Sequence, residues 1–191
     1  MITGTELHVG IDYSLTSPAI TECRGEWKKE NIYSYCIVKT DRQLERWSNI
    51  PHIQVTKYPK YNTEMERYTR LSEWVIDRIV KYNIRPKKVF IEDYAFAATG
   101  RVFHIAENMA ILKKSLTDVR IPYFMVPPTV IKKHASGKGN ANKEKMYESF
   151  VADTNRKLTE EFETKCDGNP ISDIVDSYWI CKYGYEHGTN T

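Results

Sequence analysis

Residues 7–12 read LHVGID, a segment in which apolar residues alternate and an acid stands last. This pattern predicts a half-buried β-strand. Residues 88–92 read KVFIE, a second short apolar segment that also ends in an acid. The carboxyl ends of parallel strands meet at one edge of a sheet, where open α/β sheets bind ligands. A single acid after a strand is usually a turn former, but two on neighbouring strands favour a site built on Asp12 and Glu92.

The rest of the chain alternates between strand and helix patterns. In chain order these are strands at 19–23 and 31–38 joined as a hairpin, a helix at 63–83, the strand at 88–92, a helix at 101–117, a strand at 122–126 and helices at 142–155 and 169–183. The order predicts an α/β fold with a mixed five-stranded sheet flanked by helices, in a single domain over residues 1–191. The polar segments 39–62 and 156–168 are predicted to be insertions or loops.

Composition limits the class of protein. The chain has 191 residues, of which 41% are hydrophobic, enough for a core without disulfides or a structural metal. Its net charge of +3 permits an anionic partner without requiring one. No window approaches the ~18 apolar residues of a membrane span, and no secretory signal is visible, so a soluble cytoplasmic protein is predicted. The four cysteines form no CxxC pair, which argues against zinc and for reduced thiols.

The last predicted helix carries two more acids. Residues 169–176 read NPISDIVD, so Asp173 and Asp176 are three residues apart on one helical face. The principal apolar face lies roughly opposite them, as in a solvated and well-capped helix start. Trp179 and Ile180 nevertheless make the helix apolar almost all round, which favours burial. The pattern alone does not choose between these two interpretations.

Four converging carboxylates would need a counter-charge, because like charges at close range resist joint ionisation. Hard divalent cations supply that charge, and a set of oxygen donors fits Mg²⁺ or Mn²⁺ better than zinc. Two such ions ~3.5–4 Å apart can activate a water molecule for phosphodiester hydrolysis. If the four acids meet, we therefore expect a phosphodiester hydrolase.

The acidic motifs resemble those of a known family in their order and separation. Gly10-Ile11-Asp12, Val89-Phe90-Ile91-Glu92 and Asp173-Ile174-Val175-Asp176 are similar to the motifs of the RuvC-type Holliday junction resolvases, members of the RNase H-like superfamily. Residues 128–143 are similar to that family's basic segment, with a lysine-bearing turn, a Gly-x-Gly loop and a second lysine. The resemblance covers about 7–38, 63–151 and 170–184.

This resemblance implies an RNase H-like fold and a crossover junction endonuclease that acts in DNA recombination and repair. The enzyme is expected to be a homodimer that binds branched DNA and resolves four-way junctions. The resemblance also implies that two Mg²⁺ or Mn²⁺ ions per active site are held by Asp12, Glu92, Asp173 and Asp176. Lys143 or Lys132 is expected to stabilise charge on the phosphate. The expected location is the cytoplasm of a bacterial cell, or the host cell of a phage or other virus.

A basic segment is expected to contact DNA. Between 132 and 145 five lysines stand against one glutamate, beside a flexible loop. The resemblance puts Lys132 and Lys143 nearest the scissile phosphate, with Lys133 and Lys138 as looser contacts. A merely solvated loop is the alternative interpretation.

Two other segments are candidate DNA contacts. The loop after Glu92 carries Tyr94 and Phe96, and the resemblance implies that one of them stacks on an unpaired base. The family commonly follows its first acid with a glycine turn, whereas this chain has Tyr13-Ser14-Leu15-Thr16. Ser14 or Thr16 is therefore a candidate phosphate contact instead.

Three alternatives compete with junction resolution. The acid set is shared across the superfamily, so a nuclease acting on flaps, forks or RNA–DNA hybrids is the first. A branched-DNA-binding protein without catalysis is the second. An actin-like kinase is the third, although the chain has neither a phosphate-binding glycine turn after Asp12 nor a GxxxxGK[ST] motif.

Overall fold

The computed structural model describes residues 6–80, 85–93 and 102–188. Its centre is one six-stranded sheet with the spatial order β4-β3-β2-β1-β5-β6. The strands are β1 (Leu7–Asp12), β2 (Ala19–Arg24), β3 (Ile32–Val38), β4 (Ile53–Lys57), β5 (Lys88–Glu92) and β6 (Tyr123–Val126). β1, β2 and β3 are antiparallel neighbours, while β4, β5 and β6 each pair in parallel with the strand beside them.

Helices cover both faces of this sheet. They are α1 (Asp41–Trp47), α2 (Glu64–Val80), α3 (Val102–Asp118), α4 (Pro128–Ser136), α5 (Lys143–Thr154), α6 (Leu158–Phe162) and α7 (Ile171–His187). One core joins α2 and α3 to the sheet face that carries Val9 and Ile11. A second core joins α4, α5, α6 and α7 to the opposite face. The predicted α/β class, with a mixed sheet flanked by helices, is confirmed.

The central strand pair has the predicted arrangement. β1 and β5 are parallel, and Ile11 pairs with Ile91. The next residue on each strand is an acid, so Asp12 and Glu92 leave the sheet side by side at its carboxyl edge. The Leu7–Asp12 and Lys88–Glu92 segments are apolar because helices cover both faces of the sheet.

The prediction of five strands was wrong, because residues 39–62 contain a sixth strand. This segment forms α1 and β4 rather than a loop. Thr40 and Gln43 cap α1 reciprocally, and Ile53 and Val55 of β4 are buried against the second core. β4 is only five residues long and follows a turn with His52 at a positive φ of 60°, so little periodicity marks it.

Residues 156–168 also contain an element, the short helix α6. Leu158 and Phe162 are its buried residues. The indole Nε1 of Trp47 in α1 donates to the carbonyl of Phe162 at 3.0 Å, and the two rings meet edge to face. The two segments predicted as loops therefore pack against each other.

Helix α7 crosses β1 at very close range. A Cβ atom on Gly10 would lie 2.1 Å from the backbone nitrogen of Cys181 and 2.6 Å from the carbonyl oxygen of Ser177. The Ser177 hydroxyl is 2.8 Å from that of Thr21 on β2, and the Cys181 thiol lies 3.5 Å from the carbonyl of His8. Only glycine permits this approach, and α7 is buried from Ile171 to Cys181 except at Asp176.

All four cysteines are free thiols, and three of them are buried. Over the described ranges of the chain, no helix is both long and apolar enough to cross a lipid bilayer.

Replacing Gly10 with alanine should destabilise the protein strongly, because the added methyl group overlaps backbone atoms of α7 that cannot move aside. We expect the free energy of unfolding to fall by about 3 kcal/mol or more in urea denaturation. Gly168→Ala is the matched control, since its Cβ would meet nothing closer than a carbonyl at 3.4 Å. Equal stability of the two variants would contradict the close approach.

Candidate active site

The ends of β1 and β5 and the first turns of α7 bring the four acids together. Asp12 and Glu92 leave the sheet in register, and α7 runs antiparallel to β1, so its N-terminal end lies above them. Asp173 is buried, with 7% of its surface exposed. Asp176 is partly buried. Of the two interpretations of this helix start, the structure has the buried one, because α7 packs over the sheet from its first turn.

The sheet acids carry raised pKa values. Burial raises the pKa of Asp12 well above its usual range, and the charges of Asp173, Glu92 and Asp176 raise it further. Burial raises the pKa of Glu92 to about 7, with a further contribution from Asp176. The charge of each of the other three acids therefore acts on Asp12.

Burial is also the main cause of the raised pKa values of the two acids on α7. Burial raises the pKa of Asp173 to about 7, and a hydrogen bond from the Ser17 hydroxyl partly opposes it. Burial raises the pKa of Asp176 to about 6, and Lys143 and then Lys132 oppose that increase. Ionising all four acids in this site is therefore costly.

The residues present fit a hard divalent cation. Among the described residues, Oδ2 of Asp173 is buried and has no hydrogen-bond partner. This oxygen is buried without a donor, and the acids around it resist joint ionisation. A cation nearby would therefore stabilise its charge. The donors are all carboxylates, which suits Mg²⁺ or Mn²⁺.

A polar network that sequence reasoning missed supports Asp173. The Asn169 amide donates to the Ser17 hydroxyl at 2.6 Å, and the Ser172 hydroxyl donates to the Asn169 carbonyl oxygen at 3.1 Å. Asn169 thus fixes the turn after β1 to the start of α7 instead of capping the helix. α7 begins after Pro170, with no side-chain cap. The only signal in the sequence was the polar composition of these positions.

Ser14 has a structural hydrogen bond in the turn after β1. Its hydroxyl oxygen accepts from the backbone N–H of Ser17 at 3.0 Å. The serine side chain thereby closes a turn for which the resolvase family commonly has glycine. Ser14 is partly exposed beside the acids and remains a candidate phosphate contact.

Lys143 lies on the α7 side of the acids. It is the first residue of α5, which Asn142 caps by accepting from the backbone N–H of Lys145 at 3.0 Å. The Lys143 ammonium donates to the Ser172 hydroxyl at 3.2 Å and to the carbonyl of Asp167 at 3.3 Å. Its charge lowers the pKa values of Asp12, Asp173 and Asp176 against the effect of burial.

Lys132 lies on the β5 side of the acids. It is partly buried on α4, and its charge lowers the pKa values of Glu92 and Asp176. Lys132, Lys143, Glu92 and Asp176 all line one open cleft of about 240 Å³. Asp93 and Asn142, which the sequence analysis did not single out, line it as well.

The other predicted contacts lie apart from this cleft or outside the described residues. Lys133 and Lys138 are exposed. The helix α4, which carries Lys132 and Lys133, continues to Ser136 and ends at Gly137 with a left-handed φ of 78°. Tyr94 and Phe96 lie outside the described residues.

Comparison with known proteins assigns the fold. No protein-family model and no curated protein sequence matches the chain. Solved structures do, among them Thermus thermophilus RuvC (TM-score 0.60, 15% identity, 96% of this chain and 97% of that one), T. thermophilus RuvC in complex with a Holliday junction substrate (0.64, 12%, 96% and 97%), and the Fowlpox virus resolvase with its substrate Holliday junction DNA (0.54, 12%, 97% and 99%). The RuvC-type fold implied by the acidic motifs is confirmed, and at these identities the likeness is one of fold.

The raised pKa values predict how the metal-free protein responds to pH. Acids protonated more readily in the folded state than in the unfolded state stabilise the fold below about pH 4, and that stability is lost as the pH rises towards the folded values of about 6 to 7. Without divalent ions, these acids should therefore lower the melting temperature between pH 4.5 and 7.5, relative to a variant that lacks one of them. Mn²⁺ or Mg²⁺ should raise it at pH 7.5 and have little effect at pH 4.5.

Asp12→Asn removes one of the repelling charges. It should raise the metal-free melting temperature at pH 7.5 by about 2–8 °C and abolish most of the increase caused by the cation. The exposed Asp77→Asn change should do neither. An Asp12→Asn variant whose metal-free melting temperature changes between pH 4.5 and 7.5 just as that of the wild type does would contradict this account of the site.

Proposed function

We propose that this chain, which has the RuvC-type fold, is a structure-selective endodeoxyribonuclease that resolves four-way DNA junctions. The observation that supports the proposal is the meeting of four carboxylates at one sheet edge, with a lysine on either side. Such a site suits metal-dependent attack on a phosphodiester. RuvC and the Fowlpox virus resolvase, which share the fold, were each solved with Holliday junction DNA.

The acids are proposed to hold two divalent cations, Mg²⁺ or Mn²⁺. When bound, such ions supply an activated water and stabilise the leaving oxygen of the phosphodiester. Asp12 and Glu92 hold their carboxylates on the rigid sheet, while Asp173 and Asp176 approach from α7. Ser17 orients Asp173 by donating a hydrogen bond to it, which leaves the unpartnered Oδ2 for a cation.

Lys143 is proposed to stabilise the charge that develops on the phosphate. Its ammonium lies beside Ser172, next to the buried Asp173. A cation held there by a hydroxyl and a backbone carbonyl is pre-positioned, so its electrostatic effect requires little rearrangement. Lys132 is the corresponding charge on the opposite side of the cleft.

The DNA backbone is proposed to run along α4 and the turn after it. Within the described parts of the chain, Lys132, Lys133 and Lys138 have no carboxylate at ion-pair distance. Such lysines can neutralise phosphates without first breaking a salt bridge. Tyr94 and Phe96 are proposed as stacking residues for unpaired bases at the crossover, with Ser14 as a phosphate contact.

The active form is proposed to be a homodimer, because two nicks across a four-way junction need two sites. The apolar side chains in the middle of α3 belong to the core, where Met109 and Leu112 are buried. Val102 and Phe103 at the start of α3 are instead exposed, Phe103 by 79%. These two side chains are the candidate contacts across a two-fold axis.

Nicking of a synthetic four-way junction should depend on the acid cluster. Asp12→Asn should lower the rate at least about 100-fold in Mg²⁺, because the variant loses a metal ligand. Its gel shift of the junction in EDTA or Ca²⁺ should remain within about threefold of wild type. Asp77→Asn, an exposed change on α2, is the control and should nick normally. Full activity of Asp12→Asn would refute the metal assignment.

A panel of substrates separates the alternative functions. Wild-type protein with and without Mg²⁺ should cut a four-way junction in preference to a flap, a replication fork and an RNA–DNA hybrid. Faster cleavage of any of the other three would favour a related nuclease of the same superfamily. Binding without nicking of any substrate would favour a non-catalytic branched-DNA-binding protein.

Lys143→Met should separate catalysis from binding. We expect the single-turnover cleavage rate to fall about 10²–10³-fold, because a pre-positioned charge is lost from the transition state. Junction binding should weaken only as one lost phosphate contact would, with the salt dependence reduced by about one unit. The control Lys157→Met removes an exposed lysine that pairs with Glu160. A uniform loss of affinity at an unchanged cleavage rate would contradict the role of Lys143.

A further inference from the structure

A second cluster of metal-ligand side chains lies far from the acids. His134 is near the C-terminal end of α4, and Glu186 and His187 are the last residues of α7. One ligand atom from each lies within 4.8 Å of the other two. Nε2 of His134 is 3.5 Å from Oε2 of Glu186, and the two imidazole centroids are 5.4 Å apart.

His134 presents an unused ligand atom to this cluster. Its Nε2 is buried and has no hydrogen-bond partner among the described residues. The neutral imidazole is the form of histidine that binds metal ions, through a ring nitrogen such as this one.

His187 has the second hydrogen bond that is typical of a metal-binding histidine. Its Nδ1 lies 3.0 Å from the backbone carbonyl of Tyr183, to which it can donate. That bond leaves the lone pair on Nε2. The His187 ring also stacks on the Tyr183 ring at 4.5 Å, and His134 meets Tyr183 edge to face at 5.5 Å. One tyrosine therefore positions both imidazoles.

The surrounding charge does not prevent a cation from binding. Lys182 is the nearest described cation, 4.0 Å from Oε1 of Glu186, the carboxylate oxygen that does not face His134. Its ammonium pairs with Asp153, which offsets its charge. Oε2 of Glu186 remains directed towards the two imidazoles.

We propose that His134, Glu186 and His187 form a binding site for a transition-metal cation of the zinc class. Two imidazoles and a carboxylate suit Zn²⁺ much better than Mg²⁺, and three protein ligands leave the fourth position to water. Ligand atoms around tetrahedral zinc lie roughly 3.3 Å apart, so small rotations of the exposed Glu186 and His187 side chains would complete the site.

The site would join α4 to α7. Glu186 is ten residues beyond Asp176 on α7, roughly 15 Å along the helix axis, so the cation would not share ligands with the acid cluster. The proposal is independent of the nuclease activity.

Zinc titration of the untagged protein in excess Mg²⁺ tests the proposal, with calorimetry and melting temperature as readouts. Wild type should bind one equivalent of Zn²⁺ and melt at a higher temperature with it. His187→Gln and Glu186→Gln should each weaken binding at least 10- to 100-fold. Both positions are exposed, so metal-free melting temperatures should match wild type.

His104→Gln is the matched control. His104 also faces a glutamate, Glu107, at 3.8 Å, and its side chain is comparably exposed. It should bind Zn²⁺ as wild type does. Equal Zn²⁺ affinity of His187→Gln and His104→Gln would overturn the proposal, as would a wild type that takes up no zinc in excess Mg²⁺. Loss of the zinc equivalent only in Asp12→Asn would overturn it too, because the ion would then lie at the acids.

Discussion

The contact of α7 with β1 at Gly10 is the constraint on which the rest of the structure depends. A strand and a helix usually pack with side chains between them, but here the backbone of Cys181 takes the place of a side chain. This closeness lowers the start of α7 onto the carboxyl edge of the sheet. Asp173 and Asp176 consequently lie near enough to Asp12 and Glu92 for their charges to raise the pKa of Asp12, and the hydrogen bond between Ser177 and Thr21 holds the helix in this position.

The acid cluster is held together against its own repulsion. The sheet and α7 bury the carboxylates, which is the largest cause of each raised pKa, and the polar network of Ser17, Asn169 and Ser172 supports Asp173. Lys143 and Lys132 offset only part of the negative charge. Functional sites commonly lower the stability of the ligand-free protein in this way, because their charges are balanced only when the ligand binds.

The sequence predicted those parts of the structure that depend on local pattern. The apolar stretches before Asp12 and Glu92 identified two neighbouring parallel strands, and the spacing of Asp173 and Asp176 placed them on one helical face. The pattern could not decide whether that face is buried, because burial follows from the close approach at Gly10, more than 160 residues away in the chain. β4 and α6 were missed because their stability comes from packing between distant segments, as in the Trp47–Phe162 contact. The sequence did not predict the cluster of His134 and His187 for the same reason, because the two residues are far apart in the chain and only the fold brings them together.

The order of the elements along the chain has a consequence for biosynthesis. Every strand of the sheet precedes α7, and half of the acid cluster lies on that final helix. A nascent chain that folds from its N-terminus can complete the sheet while the acid site is still half built. Any fragment from an interrupted translation that stops before residue 171 lacks two of the four carboxylates and leaves the groove over Gly10 uncovered. A half-made molecule would thus lack half of the acid site that is proposed to hold the metal ions.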